Sequence, residues 1–144
     1  MKLTKFFSLM MGLLAAILLV VAYLRGFSGD VVVGQRLAQN NCGICHDLTS
    51  KSQHAKGPYL WGIFNRRAGA TDFPYSPAFI SATQMRPIDW NSENLDTYIA
   101  NPVALIPETQ MVQETKSHPI SYHGISDATN RMDLIAYLKT LHDE

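Results

Sequence analysis

"NNCGICHDL", Asn40–Leu48, holds both cysteines of a chain of 144 residues. Two thiols stand three residues apart, and a histidine follows the second. Four arrangements account for such a pair: a disulfide, half of a zinc site, a redox-active dithiol, or the attachment point for a haem. Each makes a different demand on the rest of the chain. A zinc site needs four ligands, usually with a second pair at similar spacing. There is no second cysteine pair, and His54, His118, His123 and His142 are scattered without ligand spacing. A thioredoxin-like dithiol needs a βαβ setting, and no convincing period-2 strand pattern appears. A disulfide across so small a loop constrains the unfolded chain little, and it leaves His46 unexplained.

The haem reading asks for Cys-x-x-Cys-His, which is present in full. Three residues apart, Cys42 and Cys45 lie on the same side of one helical turn. From there each sulfur can reach one of two vinyl groups on neighbouring pyrroles, and His46 falls under the iron as its axial ligand.

Upstream, Lys2 and Lys5 precede an uncharged run from Phe6 to Leu24, "FFSLMMGLLAAILLVVAYL". As a helix it spans about 28 Å, close to the roughly 30 Å hydrocarbon core of a bilayer. The apolar core of a cleavable signal is usually shorter, about 7–15 residues. The preferred reading is therefore an uncleaved signal-anchor over residues 1–25, with cleavage after "VVA" at Ala22 as its rival. The lysines place the N-terminus inside and the domain outside, in a compartment that permits disulfides. "GFSGD", residues 26–30, reads as a short linker reaching about 17 Å when extended. Residues 31–144 then form one domain.

Lys+Arg number 12 and Asp+Glu 12, and 47% of residues are hydrophobic. The chain can bury a core. Its zero formal charge argues against a nucleic-acid binder and an acidic disordered chain. The domain reads as all-α, three to five helices joined by long loops. Val33 and Leu37 suggest a first helix ending at the cysteines. Asn91 or Ser92 can cap a helix through Leu95, Tyr98 and Ile99 that stops before Pro102. Asn130 is the expected cap of the last helix, with Asp133 suited to its dipole. Leu134, Tyr137, Leu138 and Leu141 give that helix one apolar face. A domain so rich in loop needs another body to pack against, and a haem is a large, flat, apolar one.

A thioether as sixth ligand raises the potential of a haem iron and suits electron transfer. Met1, Met10 and Met11 belong to the anchor; Met85 stands in an irregular stretch, and Met132 at the last helix reads as packing. Met111, in "IPETQM", follows a helix-breaking "NP", although a lone methionine is usually core filler.

"GDVVVGQRL", "CGICH", "KGPYLWGIF", "RRAG", "YSPAF", Trp90, "YIANP", "IPETQM" and "DLIAYLK" follow one another from Gly29 to Lys139. In that order they resemble the mitochondrial-type class I cytochromes c, especially their membrane-anchored bacterial relatives. The resemblance implies one covalent haem c, held by thioethers to Cys42 and Cys45 and ligated by His46 and Met111. It implies that the Pro58 carbonyl holds the proximal imidazole, a contact that tunes ligand basicity. Arg66, Tyr75 and Trp90 match positions that meet the haem propionates. Tyr98 and Thr109 match positions that hydrogen-bond around the methionine. Gly34 would let the first and last helices close near Tyr137.

The chain departs from that pattern. Glu108 stands where the family usually has glycine, which suits backbone angles that glutamate tolerates poorly. An extra stretch, "VQETKSHPISYH", lies between Met111 and Gly124 and contains His118 and His123, rival ligands for the iron. A second insertion is expected between Tyr75 and Trp90. Asn41, Val103, Ala104 and Gln110 replace lysines common in the family, so strong steering to acidic partners is not expected.

The implied function is a one-electron carrier rather than an enzyme: no catalytic base or substrate pocket is evident. Its partners would be membrane redox complexes, a quinol:cytochrome c reductase of the cytochrome bc1 type as donor and a cytochrome c oxidase as terminal acceptor. The haem domain would sit on the periplasmic side of the inner membrane. A dedicated electron-transfer subunit of one dehydrogenase or oxidase is the alternative. A haem sensor or small-ligand enzyme, with a distal ligand that leaves, is the third reading.

Overall fold

The computed structural model describes residues 2–107, 109–112 and 122–143; within the first helix, the side chains described are those of residues 7–21 and Ser28. Six α-helices follow one another among these residues: α1 Lys2–Ser28, α2 Val31–Asn41, α3 Pro77–Met85, α4 Ser92–Ala100, α5 Pro102–Leu105 and α6 Ala128–Leu138, with a 3-10 turn at Gln110–Val112. No strand is present among the described residues; Arg67 and Asp89 form one isolated antiparallel bridge. The all-α expectation holds.

Each helix starts for a local reason. Asp30 caps α2, its carboxylate accepting from Val32 N at 2.8 Å and Val33 N at 3.1 Å. Ser76 caps α3, with Pro77 at the first helical position where a missing N–H costs nothing. Asn91 caps α4 through Asn94 N at 2.9 Å. The cap of α6 is Asp127, bonded to Asn130 N at 2.8 Å, and not Asn130 itself. That correction moves Asp133 into the helix interior. It is buried, and its carboxylate accepts from Asp30 N at 2.7 Å instead of facing the helix dipole.

The core lies where α2 crosses α6, with α4 and α5 completing it. Ala38, Leu134 and Leu138 are buried at that crossing together with Leu95, Ile99 and Ile106. Gly34 is what lets α2 approach: a Cβ there would overlap the Asp133 carbonyl and stand 2.9 Å from Tyr137 Cβ. Arg131 ties α6 to α4 and to the segment between them. Its Nε meets Asp96 Oδ1 at 2.8 Å, and Nη1 donates to the carbonyls of Ile125 and Ser126 at 3.0 and 2.7 Å.

Two local expectations change. Met85 is the last residue of α3, the helix that lies between Tyr75 and Trp90, and not part of an irregular stretch. And α1 continues through Ser28, so most of the segment expected as a linker is helical and only Gly29 and Asp30 separate α1 from α2. Among the described residues no helix is long and apolar enough to cross a membrane. The described side chains of α1, 7–21, cover less than the uncharged run Phe6–Leu24.

Candidate haem site

The two cysteines sit where α2 ends. Cys42 is its C-cap, donating to the Ala38 carbonyl at 2.8 Å. The chain then folds back on Cys42: Cys45 N and His46 N both donate to the Cys42 carbonyl, at 3.0 and 2.9 Å. That single turn holds both thiols and the imidazole in one rigid unit. Both cysteines are free thiols, so they form no disulfide. Burial first, and Cys45 second, push the Cys42 thiol up to about 12. A redox dithiol needs a lowered thiol pKa; this one is raised. Among the described residues no cluster of three or more His, Cys, Asp or Glu could hold a metal ion, so these residues offer no zinc site.

His46 Nδ1 stands 2.6 Å from the Pro58 carbonyl. A carbonyl only accepts, so Nδ1 carries the proton and Nε2 keeps its lone pair. Burial lowers the His46 pKa, and the Pro58 bond opposes the shift only in part. The ring is therefore held neutral, the form that ligates a metal. Gly57 leaves the room for it: a Cβ there would overlap His46 Cε1 and stand 2.8 Å from Nδ1. The Gly57 N–H returns to the Cys45 carbonyl at 2.8 Å, so the loop and the cysteine turn brace each other.

Arg66 and Trp90 are brought together by the bridge between their strand-like segments. Trp90 N donates to the Arg66 carbonyl at 2.9 Å, and Ala68 N to the Ile88 carbonyl at 2.8 Å. The Arg66 guanidinium donates to the carbonyls of Trp61 and Tyr59 at 2.8 and 2.7 Å and lies over the Tyr59 ring. Burial lowers its pKa, while Tyr59 and Tyr75 act against the shift. Tyr75 hydrogen-bonds Thr71 at 2.7 Å and stacks on Phe79, ring centroids 4.8 Å apart. Trp90 is buried against Tyr98, 4.9 Å between centroids.

Thr109 and Tyr98 are joined directly, Oγ1 to OH at 2.7 Å, and Thr109 is almost fully buried. Burial pushes the Tyr98 phenol up to about 12, with the Thr109 bond working the other way. The phenol is thus neutral, and either hydroxyl can donate in its bond with Thr109. Met111 sits in the 3-10 turn, its N–H reaching Thr109 Oγ1 at 3.4 Å. Its carbonyl accepts from Tyr122 N at 3.3 Å, and the Tyr122 phenol donates to the Ile99 carbonyl at 2.7 Å. Tyr122 therefore closes the far end of the extra stretch onto α4 beside Met111. Glu108 and His118, the expected strain site and one rival ligand, lie outside the described residues; His123, the other rival, is exposed.

Sequence reasoning did not single out Gly57 or Tyr122. The signal for Gly57 was its place in "KGP": a glycine beside the one carbonyl expected to hold the imidazole. Tyr122 had no comparable signal, because its contact with Met111 spans the extra stretch. A third omission is His54, whose Nε2 meets Asp72 at 2.6 Å while Nδ1 accepts from Tyr59 N at 3.3 Å. That lowers the Asp72 pKa and pins the loop between the proximal turn and Tyr75.

Two thiols on one turn, a neutral imidazole whose Nε2 meets no hydrogen-bond partner among the described residues, and a glycine cradle beside it form a donor set that fits a c-type haem. The family model for cytochrome c matches residues 31–142. Cytochrome c of Theileria annulata is 34% identical over 111 residues, covering 77% of this chain and 85% of that protein. Cytochrome c of Guizotia abyssinica is 33% identical over 113 residues, covering 78% and 90%. Cytochrome c of Euglena viridis is 31% identical over 115 residues, covering 80% and 100%. One covalently attached c-type haem follows, and with it the role of electron carrier: the chain belongs to the cytochrome c family, as a class I cytochrome c.

Proposed function

We propose that this cytochrome is a membrane-anchored, one-electron carrier of a respiratory chain. It takes electrons from a quinol:cytochrome c reductase and delivers them to a terminal oxidase, with its haem domain on the periplasmic side of the inner membrane. Cys42 and Cys45 supply the thioether sulfurs, and His46 and Met111 the axial ligands. The observation that carries the ligand assignment is the His46 Nδ1 bond to Pro58, which leaves Nε2 as the only nitrogen able to bind iron.

The haem supplies the one-electron couple. The residues around it set how easily that couple is used. Pro58 fixes the imidazole plane and its tautomer. Thr109 and Tyr98 hold the turn that carries Met111, whose thioether would serve as the second ligand to a bound haem iron. Arg66, with its guanidinium spread over two carbonyls and the Tyr59 face, brings a fixed positive charge, joined by Tyr75 and Trp90 for the propionates.

The anchor reading is supported by the uncharged run Phe6–Leu24 behind Lys2 and Lys5. It is also supported by α1 itself, 27 residues long, along which Phe7 and Leu9 are 65% and 75% exposed. The exposed apolar side chains over residues 7–21 ask for a lipid or protein cover.

Optical spectra of the purified holoprotein, ferric and ferrous, test the ligand set. The expected result is a low-spin c-type spectrum, a methionine-to-ferric charge-transfer band, and no response to carbon monoxide. Ready carbon monoxide binding would favour a sensor or small-ligand enzyme, and low-spin haem without the methionine band would assign the distal ligand to a histidine. Co-sedimentation of the full chain with vesicles in sodium carbonate, where peripheral proteins are stripped, tests the anchor.

A further inference from the structure

The joint between α1 and the haem domain is built of two residues, and neither is free to act as a hinge. Gly29 has φ +69, and a Cβ placed on it would come within 2.6 Å of the Met132 carbonyl and 2.9 Å of Ala136 Cβ on α6. Its backbone is pressed directly against that helix. Asp30 is fixed at both ends. Its side chain caps α2, its carbonyl accepts from Gly34 N at 2.8 Å, and its own N–H donates to the buried carboxylate of Asp133 at 2.7 Å. The end of α1 meets α6 as well, where Ser28, Met132 and Ala136 line one side of a groove of about 260 Å³ that Asp96 and Lys139 close.

A flexible tether would behave differently. Its end-to-end distance grows with the square root of its length, and it lets a domain sample many orientations. Two residues reach at most about 7 Å even when extended, and here both are bonded or in close contact. We infer that the haem domain is clamped to α1 in one orientation through Gly29, Asp30 and Asp133, and that it therefore serves integral-membrane redox partners whose electron port lies at the bilayer surface. The carrier travels by lateral diffusion with its haem face held at one height and tilt. A partner whose port stands well above the lipid is out of reach. The statement about partners rests on the anchor reading; the statement about the joint does not.

Two measurements on the full-length holoprotein separate these parts. Nitroxide labels on Ser8→Cys and Lys51→Cys, with the protein in detergent micelles, report the α1-to-domain distance by pulsed electron resonance. The expected distribution is single and narrow, and a ten-residue Gly/Ser insertion between Ser28 and Gly29 broadens it severalfold. A wild-type distribution as broad as that of the insertion variant overturns the clamp, whatever the anchor does. Asp133→Ala should broaden it in part. The insertion variant leaves the haem domain's own contacts intact, so the comparison survives if Asp133→Ala does not fold. Polarised absorption of the haem band in oriented bilayers then reads the tilt. Strong dichroism in wild type, lost in the insertion variant, is expected. Weak dichroism in a wild-type protein that resists carbonate overturns the fixed haem face, whereas release by carbonate overturns the anchor and, with it, the partner class.

Discussion

The two sides of the haem site are built from the chain in opposite ways. The proximal side is nearly one continuous piece. Cys42, Cys45 and His46 share a single turn on the end of α2, and Gly57 and Pro58 return to it after one short loop. The distal side is assembled from distant parts: Met111 from a 3-10 turn with Thr109 just before it, Tyr98 from α4, and Tyr122 from the far end of the extra stretch. Covalent attachment and the neutral imidazole belong to the local side. The distal side is held to α4 and within its own turn by single hydrogen bonds of 2.7–3.4 Å. Removing a proximal part should cost the haem itself, and removing a distal part should change what the haem does.

The largest effect is expected at the cysteines. In Cys42→Ser or Cys45→Ser one thioether is lost, and most of the covalent haem should be missing, read by haem staining of a denaturing gel. Normal covalent haem in both variants would remove the turn from the attachment site. Next is Met111→Ala, which should keep its covalent haem but lower the midpoint potential. The shift should be on the order of a few tenths of a volt, within the roughly 0.8 V that axial ligands govern. The variant should bind carbon monoxide. An unchanged potential in a redox titration would take Met111 off the iron and break the contrast between the two sides.

Much of the proximal side was legible in the sequence because its parts are neighbours in the chain. Cys-x-x-Cys-His states its own geometry, and a helix running into it was visible from Val33 and Leu37. Pro58 and Met111 needed the family resemblance, since a loop proline and a lone methionine carry no pattern of their own. Periodicity located α6 but misplaced its start by three residues, because Asp127 and Asn130 are equally good cap types and only the fold decides between them. The same ambiguity hid Asp133. An acidic residue near a helix start reads as a dipole partner, and its bond to Asp30 spans 103 residues. The joint at Gly29 was likewise invisible: "GFSGD" has linker composition, and only the packing of α6 shows that its glycine is pinned.

Gly57→Ala probes how tightly the proximal side is packed. The added methyl has to displace the His46 ring or the loop, an overpacking that costs typically about 1–3 kcal/mol. Denaturant unfolding of the holoprotein should show that loss. The ferric spectrum should show a weakened or altered low-spin state, because the imbalance acts on the ligand itself. A stability equal to wild type would mean that the loop gives way freely and does not brace the turn.

Acid distinguishes the sides by chemistry, since a thioether has no proton to gain and His46 does. The His46 pKa in the folded protein lies below its ordinary 6.5. The unfolded chain therefore takes up this proton first as pH falls. His46's contribution to stability is complete above about pH 6.5 and declines from there toward its folded pKa, by at most about 1.4 kcal/mol per pH unit. Iron ligation by Nε2 would push the folded value further down and lengthen that window. Loss of the low-spin proximal spectrum on acid titration, with stability flat above pH 7, is the expected pattern. A decline that begins above pH 7 would point to another group.

The smallest effect isolates the distal hydrogen bond. Tyr98→Phe removes the phenol that meets Thr109 Oγ1 and leaves that buried hydroxyl with one partner fewer. The expected cost is about 1 kcal/mol, the usual scale for a buried hydrogen bond. Thr109→Val should cost a similar amount, and the double variant should cost less than the sum, because both single variants remove the same hydrogen bond. Potential and carbon monoxide access separate a stabilising bond from one that positions the ligand. If Tyr98 and Thr109 hold the Met111 turn, either variant should let carbon monoxide in faster than wild type while leaving the covalent haem untouched. Equal carbon monoxide rates with the same loss of stability would leave the bond as packing alone, and Met111 would then be held by its own backbone bond to Tyr122.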